Sequence, residues 1–393
     1  MSEMQVQPSF WTWFFTKAKR LTKLRHTRYW RRPIASLMED YLREVDTTRR
    51  LTTSSPSYQK LGDIMEKVAA IDRQLEQIAS SSRPIVAGPW TSEVGFENLY
   101  WIPFLKWFQQ HFQISLDRFI VFSRGGTREW YGDLANRYFD LFDYFSAEEF
   151  REWSQRHREL IGGQKQTRLT EFDEEILRRA RLTEYELLHP SLMYGTFRYC
   201  WKGTFPLYHA DVRTVASPMV IPASRSIDLP KEFVAVKFYF SQCFPETAEN
   251  AEFCKRTVRE LASKGPVVLL HTGLKIDDHG ELLGEEIAQE LPNVISAKSW
   301  MSLSDNLAVQ SYVVSRAKLF VGTYGGFSYL GPFYGLPSIC FYSERESFVR
   351  YHLDFMNGMI SRLKEAFPGH RGEFVALNAR LPLHISPFPG VSL

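Results

Sequence analysis

FVGTYGGFSYLGPFYGLPSICFYS, residues 320 to 343, decides how the rest of the chain is read. An apolar run ends at Val321, and small residues (Gly322, Thr323, Gly325, Gly326, Ser328) then open a helix. Gly335-Leu336-Pro337 returns the chain to a second apolar run. Strand, small-residue loop, helix and strand form the repeating step of a parallel sheet. Glycines at a helix start let the backbone approach a ligand closely, and the amides there suit a diphosphate.

The same alternation extends upstream. EFVAVKFYF (232 to 240) and PVVLLHTG (266 to 273) read as strands, separated by an amphipathic helix over 246 to 263. VISAKSW is a further strand, and SLSDN (302 to 306) caps the helix before KLFVGTYGG. Residues 229 to 393 are therefore expected to form a Rossmann-like domain with a tail. From Pro84 the first half repeats the pattern: strand PIVAGPW, helix 96 to 112, strand FIVFS at 119 to 123, and YFDLFDYF (138 to 145) as a third strand. Helical segments over 147 to 160 and 170 to 182, then LHPSLMYGTFRYCWKG, read as an insertion within a domain spanning 84 to 228.

Residues 1 to 83 form a helical appendage in this reading. Phe10, Trp11, Phe14, Ala18 and Leu21 recur at helical spacing within a segment, 8 to 32, that carries cations and no acid. Such a helix either lies on an anionic membrane surface or packs on the body with a solvated basic face. Ile34, Leu37, Met38, Tyr41, Leu42 and Val45 follow as a second helix. Leu61, Ile64, Val68, Ile71, Leu75 and Ile78 alternate by three and four, a seam that suits a helical hairpin or a homo-oligomer contact through the 58 to 80 helix.

Bulk properties narrow the class. At 393 residues the chain exceeds what a single core usually serves. Charged residues make up 24% and the net charge is +3, which with no nucleic-acid module points away from nucleic acid. Four cysteines show no paired or metal-like spacing, as in a cytoplasmic protein with reduced thiols. No apolar run reaches the roughly 18 residues of a membrane span, and the start lacks the order of a signal peptide.

Several residues stand out as chemistry. Glu93 and Glu97 flank Val94-Gly95-Phe96 at the mouth of an apolar helix, where each acid is a candidate base or a helix cap. Lys237 interrupts an otherwise buried strand near its carboxyl end, followed by Ser241; it is either a phosphate partner or an outward lysine on an edge strand. His271, Thr272 and Gly273 end the next strand and line the same crevice in this reading. Asp277-Asp278-His279-Gly280 reads as a solvated turn rather than a metal site. Trp90, Ser92 and Arg124 fall at strand ends of the first half, on the expected acceptor side.

The 320 to 343 segment resembles the donor-diphosphate element of GT-B glycosyltransferases, the two-Rossmann class that includes the lipopolysaccharide heptosyltransferases. Their loop reads roughly D-[ST]-G-x-x-H; here it is Gly322-Thr323-Tyr324-Gly325-Gly326-Phe327, with neither the Asp nor the His. Those enzymes also carry an acid six residues before a proline as a base, a spacing that falls on Glu97 before Pro103, with Glu93 as the other candidate. The resemblance implies an α/β, GT-B-like fold with two Rossmann-like domains facing a cleft. It implies a metal-independent transferase without a cofactor, moving a sugar from a nucleotide sugar to a glycan or lipid-linked acceptor of bacterial surface polysaccharide. Donor contacts would come from Lys237, Ser241, His271 to Gly273 and Thr323 to Ser328. A retaining enzyme with a Kdo-type donor and a non-catalytic scaffold subunit are the alternatives. The enzyme would be cytoplasmic, held peripherally at the inner membrane leaflet by its basic helix.

Overall fold

The structure is a computed structural model that describes residues 56–201, 205, 207–274 and 284–381. The basic segment 8 to 32, the helix expected after Pro33 and the Asp277–Gly280 turn lie outside the described residues. Contacts group the chain into two units, one made of Met1–Ser82 with Gly195–Phe205 and the other of Arg83–Tyr194 with Pro206–Leu393.

In the first unit the helix Pro56–Ser80 buries Met65, Val68, Leu75 and Ile78. Gly195 belongs to this unit because of a close fit: a Cβ there would lie 2.5 Å from Ile71 Cδ1.

The second unit holds both sheets, and every ladder in them is parallel. The first contains β1 (Ile85–Ala87), β2 (Phe119–Ser123), β3 (Arg137–Asp140) and β4 (Glu186–Leu188), in the order β3-β2-β1-β4. Every residue of β1 and β2 is buried, as continuous apolar strands covered on both faces must be. The second contains β5 (Val234–Lys237), β6 (Val267–Leu269), β7 (Val294–Ser296), β8 (Leu319–Thr323), β9 (Pro337–Tyr342) and β10 (Glu373–Asn378). Its order, β10-β9-β8-β5-β6-β7, is that of a dinucleotide-binding sheet, with the reversal of strand order between β5 and β8. The chain therefore has the α/β, GT-B-like architecture of two Rossmann-type sheets.

Several strands are shorter than the apolar runs suggest, each for a local reason. β5 stops at Lys237 because Thr323 Oγ1 replaces the ladder beyond it, accepting from Tyr239 N (3.0 Å) and donating to Tyr239 O (2.9 Å). The third strand ends at Asp140, whose carboxylate accepts from Phe142 N (3.0 Å) and starts a tight turn over Leu141–Asp143. β4 and β10, with the helix Arg350–Ala366, were not anticipated from the sequence.

Candidate active site

Two cavities open where the carboxyl ends of the sheets meet. The smaller, about 120 Å³, lies at the β5/β8 switch and is lined by Lys237, Thr272, Asn306, Gln310 and Phe327 from the second sheet. Glu93 and Arg124 form its opposite wall. The larger, about 720 Å³, adjoins it through Glu93, Tyr239 and Gly326. Its walls carry Arg158, Lys165, Ser241, Tyr324 and His352.

On the second sheet, Lys237 is the pivotal cation. Its ammonium donates to Leu270 O (3.0 Å) and to Gln310 Oε1 (2.8 Å), with the Phe327 ring centre 5.4 Å away. Pairing in register with Gly322 places it in the interior of the sheet, which rules out the edge-strand reading. A Cβ on Gly322 would meet Lys237 O at 2.2 Å, so only glycine permits this strand spacing.

The amide cradle expected at Gly325 and Gly326 is corrected by the structure. Ser328 Oγ accepts from Gly325 N (3.2 Å) and donates to Gly325 O (2.8 Å), closing the turn on itself. Gly326 N is covered from the first half, where a Cβ on Gly95 would lie 2.8 Å from it. The helix beyond is a 3₁₀ turn, Gly326–Tyr329, and one α turn, Leu330–Phe333, too short for a strong dipole. Thr323 and Ser328 are thus buried ties rather than cavity walls, while Gly325 and Tyr324 line the larger cavity. His271 and Gly273 line neither cavity, unlike Thr272 between them.

On the first sheet the two acids separate. Glu93 lines both cavities; it occupies the N-cap position of the Val94–Phe96 turn but makes no side-chain cap bond, so capping does not consume its carboxylate. Glu97 starts a π-helical turn, Glu97–Trp101, that rolls it inward until it is fully buried. Its Oε1 accepts from Ser123 Oγ (2.5 Å) and Tyr131 OH (2.6 Å), and Oε2 has no hydrogen-bond partner. Burial pushes its pKa up to about 7, against the opposing pull of the Arg124 guanidinium. A carboxyl sealed behind the wall cannot take a proton from a substrate in the cavity, so Glu97 is not placed as the base.

Trp90 and Ser92, expected on the acceptor side, are also buried. Trp90 stacks between Trp101 and Tyr194, with ring centres 5.8 and 6.3 Å away. Ser92 Oγ donates to Gln164 O (2.8 Å) and shares a bond with Tyr194 OH (3.0 Å). Arg124 does reach the smaller cavity, while its guanidinium donates to Ser92 O (2.7 Å).

Residues that the sequence did not flag complete the larger cavity. Lys165 sits over the Phe96 ring, 4.7 Å from its centre. Desolvation lowers its pKa and the Glu93 carboxylate opposes that. His352 shares a 2.7 Å bond with Tyr100 OH; burial, with Lys165 close by, drives its pKa down to about 3, so it is neutral at physiological pH. Among the described residues no group of three or more metal-ligating side chains is assembled. None of their helices is long and apolar enough to cross a membrane.

The two halves meet through glycines. Gly95 lies against Gly326, and Gly125 O accepts from Ala308 N (2.9 Å). A methyl added at Gly95 would press on backbone rather than on a side chain that could swing aside. Gly95→Ala should therefore lower stability by about 1–3 kcal/mol despite the helix preference of alanine. Thermal or denaturant unfolding beside wild type checks it; unchanged stability would mean that the contact yields freely.

No family model and no curated protein matches the chain. Among solved structures it is similar to a glycosyl transferase family 9 protein from Veillonella parvula DSM 2008, at 11% identity and TM-score 0.40, over 76% of this chain and 86% of that one. It is also similar to the E. coli ADP-heptose lps heptosyltransferase II, at 11% identity and TM-score 0.37, over 71% of this chain and 99% of that one.

Proposed function

We propose that the chain is an inverting GT-B-like glycosyltransferase that uses a nucleotide-sugar donor. The observation that carries this reading is the cavity at the β5/β8 switch, with Lys237 on one wall and Glu93 on the other. Ligands of open parallel sheets bind where the strand order reverses. The donor diphosphate would sit against the Lys237 ammonium, with Thr272, Asn306 and Gln310 as polar neighbours. The acceptor would enter through the larger cavity, past Arg158, Lys165 and the rings of Phe96 and Tyr239.

In the reaction, the acceptor hydroxyl oxygen attacks the anomeric carbon while Glu93 takes its proton. The bond from that carbon to the diphosphate oxygen breaks, and its electron pair leaves with the nucleoside diphosphate. Lys237 offsets the charge gained by that leaving group, a task the ammonium performs more strongly at the transition state than in the ground state. A glycan or lipid-linked acceptor in bacterial surface polysaccharide synthesis fits the sequence resemblance to heptosyltransferases. Peripheral attachment to an anionic membrane through residues 8 to 32 belongs to the same proposal.

The test is a thermal-shift screen of nucleoside diphosphates and nucleotide sugars against wild type and Lys237→Ala. A nucleotide should raise the wild-type melting temperature, and the substitution should weaken its binding about 10- to 100-fold, the worth of a charge-assisted hydrogen bond. Equal binding by both proteins would remove Lys237 from the donor site. No response to any nucleotide would leave the non-catalytic scaffold as the better reading.

A further inference from the structure

The loop that presents Glu93 has an unusual support. It follows a cis peptide at Gly88-Pro89; Trp90 N still bonds to Phe122 O of β2 (3.0 Å), while Pro89 O and Thr91 N on either side of it meet no strand. Gln166, from a distant loop, fills that gap and is itself fully buried. Its Oε1 accepts from Thr91 N (3.0 Å), while Nε2 donates to Pro89 O (2.8 Å) and to Asp173 Oδ1 (3.0 Å).

Chemistry, not only fit, sets the direction of this amide. Asp173 is fully buried, accepting from Thr170 N (2.9 Å) and Thr170 Oγ1 (2.7 Å), with His189 Nε2 3.4 Å away. Burial alone would raise its pKa, but the neighbouring His189 ring and the bonds from Thr170 outweigh it and hold the pKa below the ordinary range. An ionised carboxylate has no proton to donate, so the glutamine must turn its NH₂ toward Asp173 and its oxygen toward Thr91. Ser92 Oγ, bonded to Gln164 O, fastens the same loop one residue further on. Gln166 lines neither cavity, so its influence on a reaction there is conveyed through residues 89 to 92.

We propose that Gln166, oriented by Asp173, is the positioning residue that holds the Glu93 loop at the reacting distance. The inference rests on Glu93 being the base, and the experiment separates the two claims. Gln166→Met keeps the length and removes all three bonds. In the full chain, amide hydrogen exchange of a peptide covering 88 to 96 should quicken at least about tenfold, the change expected from freeing a protected amide, while a peptide covering β5 stays unchanged. With the nucleotide sugar that most stabilises wild type, kcat for nucleoside diphosphate release should fall about 10²-fold and nucleotide Kd should stay within about twofold, as for a slightly misplaced group.

Gln166→Glu adds a signature that lost packing cannot give. As a neutral acid it donates to Asp173 and accepts from Thr91; ionised, it repels Asp173. Its kcat relative to wild type should rise as pH falls from about 8 to 6, the carboxyl's pKa being raised by burial and a like charge. Unchanged exchange at 88 to 96 overturns the proposal, as does a weakened nucleotide Kd with kcat intact. Should Gln166→Met fail to fold, the pH series decides, and no recovery on acidification refutes it. The exchange result needs no turnover, so an active Glu93→Gln would sink the base assignment while leaving the clamp to stand or fall separately.

Discussion

Glu93→Gln should lower kcat for sugar transfer by about 10²- to 10⁴-fold, the usual contribution of a positioned general base. The substitution keeps the side chain's size and removes its ability to carry a proton away, together with the charge that acts on Lys165. Glu93 lines both cavities and makes no cap bond that the change would disturb. Nucleotide affinity, governed by the wall bearing Lys237, should hold. Measuring nucleoside diphosphate release together with nucleotide Kd separates the outcomes. A fully active Glu93→Gln would end the base assignment, because among the described residues no other acid lines either cavity.

Glu97→Gln should behave oppositely, sparing chemistry and changing the pH dependence of stability. In the folded chain burial raises the Glu97 pKa from an ordinary 4.5 to about 7. Between those values the unfolded chain ionises while the folded one keeps its proton, so stability falls as pH rises. The displacement corresponds to on the order of 3 kcal/mol. Glutamine accepts the bonds from Ser123 and Tyr131 without a charge, and its NH₂ falls where Oε2 already lacks a partner. Unfolding of both proteins by denaturant at pH 4 and pH 8 should show wild type losing about that much relative to the variant. Parallel curves would mean that Glu97 stays ionised in the fold.

The parallel sheets were legible because their strands are apolar on both faces and alternate with helices. The Gly322–Pro337 step read true as strand, turn, helix and strand, and Lys237 stood out as one cation in a buried run. Glu93 and Glu97 could not be told apart, since a π-helical turn, invisible in periodicity, rotates one of them inward. Ser328 closing on Gly325 was equally hidden: a serine after two glycines looks the same whether it faces a ligand or its own turn. β4 is three residues long with no distinctive pattern, and Lys165, Gln166 and His352 reach the site only through pairings far apart in sequence. Short-range pattern reveals elements; it does not reveal which side chains a tertiary contact will turn toward or away from the crevice.

The glycine contacts between the halves carry a mechanical consequence. One touches at Gly95 and Gly326, the other at Gly125 and Gly126 against residues 304 to 308. The seam is fastened beside them as well, by Tyr100 on His352 and Trp130 on Ser311, so the glycines are closures in a continuous boundary rather than isolated pivots. A side chain grown at either glycine contact would have to wedge that boundary open against those bonds.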